Sequence, residues 1–291
     1  MIDSACKVAI AGASGFVGRA LAASLSAKCS VVGLGRNVPK DPGRDCSEWR
    51  KVDFLSLLEA ERALKGIDVA FYLIHSMMPS AHLTQGKFQD FDLIAADNFA
   101  RSARDNGVKQ ILYLGGLIPE GEELSTHLSS RMEVGEQLAA YGTPVTTLRA
   151  GMIVGKGGSS FVMVKRLVER LPVMLCPHWT RVKSQPIALK DVVALLVYCC
   201  QRKETYGESY DVGGPDVVTY EDVMREIGNV IGRRPILFRS PFFTPKLSRL
   251  WVSLVTGAPK ALVKPLIQSL RHEMIAQERR LQEAAGIPGT P

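Results

Sequence analysis

Short apolar runs alternate along this chain with longer stretches in which apolar residues return every third or fourth position. The runs Val8–Ala11, Ser30–Leu34, Trp49–Phe54, Val69–Ile74, Ile111–Leu114 and Val145–Leu148 have the length of strands, and Val69–Ile74 is apolar throughout, the mark of a strand covered on both faces. Helical stripes fall between them: Val17, Ala20, Leu21, Ser24 and Leu25 in one, and Phe91, Ile94, Ala95, Asn98, Phe99 and Ser102 in another that stops at Asn106-Gly107. Ser56-Leu-Leu-Glu59 predicts a capping box on a short helix, and Met132 to Tyr141 a further helix. Six such repeats predict an α/β fold with a doubly wound parallel sheet.

The first repeat carries chemistry. Lys7 to Gly18 reads K-V-A-I-A-G-A-S-G-F-V-G, so the first strand runs straight into Gly12, Gly15 and Gly18. Gly12 suits the tight turn, Gly15 lets a pyrophosphate approach the backbone, and Gly18 lets the helix lie close on the sheet. With Ser14, Phe16 and Val17 these residues form a candidate phosphate cradle at a helix N-terminus. Residues 1–155 therefore read as a dinucleotide-binding core.

Beyond Gly155 the regularity loosens. A helix over Phe161–Leu171, a loop with Pro172, Pro177 and Trp179, a strand-like Ser209–Val212 and a helix capped by Thr219-Tyr-Glu-Asp222 make 156–239 the expected substrate region. Net charge locates a third part. Of the formal +7, the whole excess lies between Arg233 and Glu283, where ten Lys and Arg face three acids. Residues 240–291 thus read as a basic, amphipathic helical appendage, with apolar stripes at Leu247, Leu250, Trp251, Leu254 and Val255 and at Leu262, Val263, Leu266, Ile267 and Leu270. Two roles fit 240–280: peripheral contact with an anionic membrane surface, or packing over the pocket or a second copy. The localised charge gives no reason to expect nucleic acid as a partner.

At 291 residues and 46% hydrophobic, the chain can fill one large domain. It has neither a secretory-type start nor an uncharged stretch of the ~18–20 residues a membrane span needs, so a cytoplasmic protein is expected. Six cysteines without C-x-x-C spacing are expected as buried thiols, with no metal site.

With its glycines spaced G-x-x-G-x-x-G, the chain resembles the extended and atypical short-chain dehydrogenases/reductases, a Rossmann superfamily with epimerase-like and NmrA-like branches. Val52-Asp53-Phe54, Tyr113-Leu-Gly-Gly116, Thr147–Gly155, Gln185–Asp191 and Tyr210–Gly214 carry the likeness along most of its length. Phe71–Met77 and Leu167–Met174 look like a bacterial subfamily whose longer relatives have a further C-terminal domain. The second strand ends Gly33-Leu-Gly-Arg36, with an arginine where NAD-preferring sites carry an acid, so NADP(H) is expected over NAD(H). The resemblance implies Asp53 and Phe54 beside the adenine and His75 near the nicotinamide half.

The family's proton relay, Tyr-x-x-x-Lys, occurs nowhere in the sequence. His127-Leu-Ser-Ser-Arg131 stands at its place with the same spacing, and Gly115-Gly116 replaces the customary hydroxyl. His127 is the candidate proton carrier, titrating near neutrality, and Arg131 the candidate ribose contact and catalytic partner. Two functions follow: an oxidoreductase acting on a small organic substrate, or a non-catalytic NADP(H)-responsive regulatory or assembly protein of the NmrA-like type.

Overall fold

The computed structural model describes residues 2–39, 43–74, 88–119, 121, 124–233, 235–239 and 271–291. Seven parallel strands make the central sheet: β1 (Lys7–Ala11), β2 (Ser30–Gly35), β3 (Glu48–Lys51), β4 (Val69–Tyr72), β5 (Gln110–Gly116), β6 (Val145–Ala150) and, past four short strands, β11 (Ser209–Val212). Their order is β11-β6-β5-β4-β1-β2-β3. The chain winds outward from β1 to β3, then returns to place β4 on the other side of β1. That reversal opens a crevice at the carboxyl ends of β1 and β4.

Strand alternation supplies two cores. Val8 and Ile10 face α1 (Phe16–Ser26) and α6 (Leu189–Cys199), packing with Leu21, Leu25, Val192, Leu195 and Leu196. Ala9 and Ala11 face the other way, toward α2 (Leu57–Ala63), α3 (Phe88–Asp105) and α4 (Thr126–Ala139), where Phe99 and Leu138 are wholly buried. The predicted doubly wound sheet is therefore found, with a seventh strand.

Local departures have local causes. Ser56 caps α2 by accepting the Glu59 N–H, but the Glu59 carboxylate accepts from the Asp53 N–H at 2.8 Å, so the expected reciprocal box does not close. Helix α4 begins at Thr126, not Met132, because Ser125 accepts the Leu128 N–H and caps it early. Thr219 and Asp222 do form a complete capping box at the start of α7 (Tyr220–Val230).

A smaller lobe stands over the carboxyl edge of the sheet. It comprises α5 (Ser159–Arg170), α7 and the paired strands β8 (Val173–Cys176) and β13 (Ile236–Arg239), with Leu167, Val168, Met174, Met224 and Ile227 as its core. Short strands tie lobe to sheet: β7 (Ile153–Val154) with β10 (Ile187–Ala188), and β9 (Lys183–Ser184) with β12 (Val218–Thr219).

The end of the chain, grouped by charge with the basic appendage, is fastened to the main domain from residue 271 onward. Gln282 on α8 (Arg280–Ala285) is buried, donating to the Gly213 carbonyl at 2.9 Å and accepting the Gly213 N–H at 3.3 Å. Thr290 donates its N–H and hydroxyl to the buried Asp191 carboxylate. The stripes of residues 240–270 lie outside the described residues. No helix among the described residues is long and apolar enough to cross a membrane.

Candidate functional site

The glycine turn sits at the crevice. Gly12 has φ +91°, in the left-handed region, and a Cβ there would stand 3.1 Å from the carbonyl oxygen of Leu73, at the end of β4. A Cβ on Gly18 would fall 2.1 Å from the Gly12 oxygen and 2.8 Å from the Ala13 Cα, so only glycine lets α1 lie this close to its own turn. Gly15 is the N-cap of α1, and no side chain caps the helix. Ser14 and Gly15 are exposed, and Phe16 and Val17 half-buried. This is a helix N-terminus left open on its approach side, and it fits a bound phosphate.

A cavity of about 480 Å³ opens from that turn. Its floor is the row of strand ends at Gly12, Leu73, Leu114–Gly116 and Ala150–Ile153; its walls are Phe16 and Val17, the first turns of α4, and the lobe. The lobe contributes Met163, Trp179, Tyr220 and Met224, while Met152 and Met274 close the remaining sides. Long-range folding brings these together, and their apolar spacing in the sequence carries no mark of a ligand. Only the position of this region after the regular repeats pointed to a pocket.

His127 and Arg131 both line the cavity, as their spacing on one helix face requires. Arg131 donates through Nη2 to the Leu114 carbonyl at 2.7 Å, and its guanidinium carbon lies 5.5 Å from the centre of the Tyr113 ring. The Tyr113 hydroxyl in turn donates to the Arg131 carbonyl at 2.9 Å. Gly115 and Gly135 leave room for that ring: a Cβ at Gly115 would meet Tyr113 Cε1 at 3.1 Å, and one at Gly135 would meet it at 3.4 Å. At Gly116 a Cβ would meet only Leu128 Cδ2, at 3.8 Å, so the missing hydroxyl there is not enforced by space.

The expectation that His127 titrates near neutrality is corrected. Burial, with the Arg131 guanidinium beside it, pulls its pKa down to about 4, so the ring is neutral at physiological pH. It offers a hydrogen-bonding imidazole and no readily exchanged positive charge.

Arg36, Asp53 and Phe54 are not among the residues that line the cavity. Arg36 is exposed just past β2. Asp53 accepts the Leu55 N–H at 3.1 Å and holds the turn after β3. The Phe54 ring is 5% exposed and packs edge-on against Phe99 with centroids 5.3 Å apart. Its side chain belongs to the core, which leaves the backbone as its only means of bordering an adenine. His75 lies outside the described residues. Five of the six cysteines are buried thiols, Cys29 being half-buried, and no group of three or more His, Cys, Asp or Glu among the described residues could hold a metal.

Comparison with known proteins agrees with this architecture. The fold matches the NADPH-dependent quinone oxidoreductase of Escherichia coli solved with NADPH, with a TM-score of 0.77 and 19% identity over 98% of this chain and 96% of that one. The triphenylmethane reductase of Citrobacter sp. in complex with NADP(H) gives a TM-score of 0.75 at 16% identity, with coverages of 98% and 96%. A nucleoside-diphosphate-sugar epimerase of Staphylococcus aureus gives 0.75 at 15%, with 98% and 97%. By sequence, the auxiliary protein GraX of Staphylococcus aureus is 32% identical over 143 residues, a stretch covering 48% of this chain and 43% of that protein. Residues 8–213, from β1 to the residue after β11, match the sequence description of the NAD dependent epimerase/dehydratase family, and the chain belongs to that family.

Proposed function

We propose that the protein is an NADP(H)-dependent oxidoreductase acting on a small, apolar organic substrate. One observation carries this: a single cavity has the glycine turn as one wall and methionine, tryptophan and tyrosine side chains as another, so a dinucleotide and an apolar ligand would share it. The open α1 terminus would hold the pyrophosphate, Arg36 the 2′-phosphate, and the 53–54 turn the adenine. Arg131, braced by Leu114 and Tyr113, would face the ribose and nicotinamide end. When bound, the nicotinamide supplies or accepts a hydride.

The chain's own groups limit the chemistry. His127 is neutral, and arginine is not interchangeable with lysine, so the pair does not replace the missing tyrosine and lysine as a strong acid. Acceptors whose new charge spreads over a conjugated system, or that take their proton from solvent, need least from such a site. Nucleotide-sugar epimerisation is disfavoured, because the described cavity walls are mostly apolar and the relay is absent. The quinone oxidoreductase and the triphenylmethane reductase, both solved with an NADP cofactor, support this reading by fold likeness.

The likeness to GraX, an auxiliary protein, favours a second reading: a regulatory or assembly protein that binds NADP(H) without turning it over, with 240–280 as its contact to a membrane surface or a second copy. NADPH oxidation with a panel of neutral planar acceptors separates the two. Turnover that disappears in a Gly15→Val variant supports the enzyme; tight NADPH binding without turnover of any acceptor supports the regulator.

A further inference from the structure

Tyr220 is the first residue of α7, fixed by the Thr219–Asp222 capping box, and its ring lies edge-on to Trp179 with centroids 6.1 Å apart. Both rings line the cavity, Tyr220 being 5% exposed. Ser184 stands behind it on β9, opposite Val218 in the β9–β12 pair and bridged through its backbone to Met274, another lining residue. Ser184 is wholly buried, and its hydroxyl lies beside that of Tyr220 without meeting any described group in full hydrogen-bond geometry. Burial keeps the phenol protonated, its pKa pushed up to about 12. A buried serine hydroxyl left short of a partner stands beside the phenol, and the phenol itself belongs to a mostly apolar wall, so this is where a ligand atom would complete the hydrogen bonding.

The ligand's chemistry follows from the lining. Met152, Met163, Met224 and Trp179 offer polarizable apolar surface suited to a flat ring system. No carboxylate occurs among the described lining residues, so nothing there compensates a cation, while Arg131 supplies positive charge.

We propose that Tyr220, backed by Ser184, is the polar anchor of this cavity, donating its phenolic proton to a carbonyl oxygen on an otherwise apolar, planar and uncharged ligand. The inference rests on the cavity being the substrate site, and it deepens that reading by naming a substrate class and the residue that selects it. When the ligand is bound, a small rotation lets the Ser184 hydroxyl donate to the phenolic oxygen, which orients the phenol and leaves its proton for the ligand.

Binding of indanone and of indane, its counterpart without the carbonyl, tests the anchor on the full chain, with and without saturating NADPH. The wild type should prefer indanone. Tyr220→Phe keeps the ring against Trp179 and should weaken indanone about three- to tenfold while leaving indane and NADPH unchanged. Ser184→Ala should lose less, in the same direction. The proposal is overturned if the wild type does not prefer indanone, if Tyr220→Phe binds it as tightly as the wild type, or if indane binding falls equally. This binding pattern without turnover of any carbonyl acceptor would leave the anchor standing and remove the oxidoreductase reading. Turnover without the pattern would do the reverse.

Discussion

Arg131 reaches back from α4 to the Leu114 carbonyl at 2.7 Å, and this bond ties the only cationic side chain among the described lining residues to the end of β5. Held there, the guanidinium acts on His127 one turn earlier on the same helix. The pair conserves the spacing of a proton relay but not its electrostatics. In the usual arrangement a cation eases a tyrosine toward its anion; here a cation makes it harder for a histidine to gain a proton.

Removing that charge should show itself on His127. In Arg131→Gln the imidazole loses its unfavourable neighbour, so its pKa should rise from about 4, though not to the ordinary value, because burial remains the larger cause. An NMR titration of the imidazole protons reads this directly. An unchanged midpoint would show that the guanidinium does not act on the ring.

Stability should carry the same signature. A histidine near 4 when folded and near 6.5 when unfolded binds fewer protons in the native state, so its contribution is fully favourable above pH 6.5 and declines as the pH falls from 6.5 toward 4. Glu48, held at about 2 mainly by its hydrogen bonds to Arg50 and Lys7, loses its contribution only below the ordinary carboxylate range, near 4.5. The two windows are therefore separable. Thermal melts should show His127→Gln flattening the decline between pH 6.5 and 4.5 while leaving the steeper loss below it; parallel wild-type and variant curves would refute the buried neutral ring.

The glycines of the turn should separate fold from binding. At Gly15 a Cβ would meet only the Gly12 oxygen, at 3.1 Å, so Gly15→Val should fold, with a modest loss of stability. It would nevertheless block the open N-terminus of α1 and abolish dinucleotide binding. At Gly18 the Cβ would fall 2.1 Å from backbone, so Gly18→Ala must push the helix off its turn, at a cost of about 1–3 kcal/mol or more. Circular dichroism and calorimetry on both variants check the contrast. A stable Gly18→Ala variant that binds NADPH normally would contradict the packing.

Much of the core was legible because its cause is local. Strand runs such as Val69–Tyr72 need cover on both faces, and the glycines need a turn, so composition and spacing identify them. The cavity wall was not legible in the same way. Met274 reaches it by a bridge to Ser184, across ninety positions of sequence, and Tyr220 reads as no more than the residue after a cap until Trp179 is beside it. Spacing correctly set His127 and Arg131 on one face. It could not show how deeply His127 is buried, and that burial reverses the proton chemistry its residue type suggests. The docking of Gln282 against Gly213 was hidden by charge, since the basic residues around it suggested a separate appendage.

Cofactor preference is the remaining test, and the contact proposed for Arg36 predicts its outcome. Residue 36 follows β2 directly, and the Gly12 N–H donates to the Leu34 carbonyl at 3.1 Å, so the end of β2 lies against the glycine turn. From there an exposed guanidinium can pair with a 2′-phosphate but gains little from a 2′-hydroxyl, which the Asp or Glu of NAD-preferring sites holds. A charge-assisted contact contributes about 1.5–3 kcal/mol, and exposure to solvent favours the lower end, so Arg36→Ala should weaken NADPH about tenfold. NADH affinity should hardly move. Because the contact is exposed, the NADPH advantage should also shrink as salt rises from 0.1 M toward 1 M, over which the screening length falls from about 10 Å to about 3 Å. Calorimetry of both cofactors on wild type and variant measures all of this. Equal losses for NADPH and NADH, or a preference for NADPH that persists in the variant, would place the source of selectivity elsewhere.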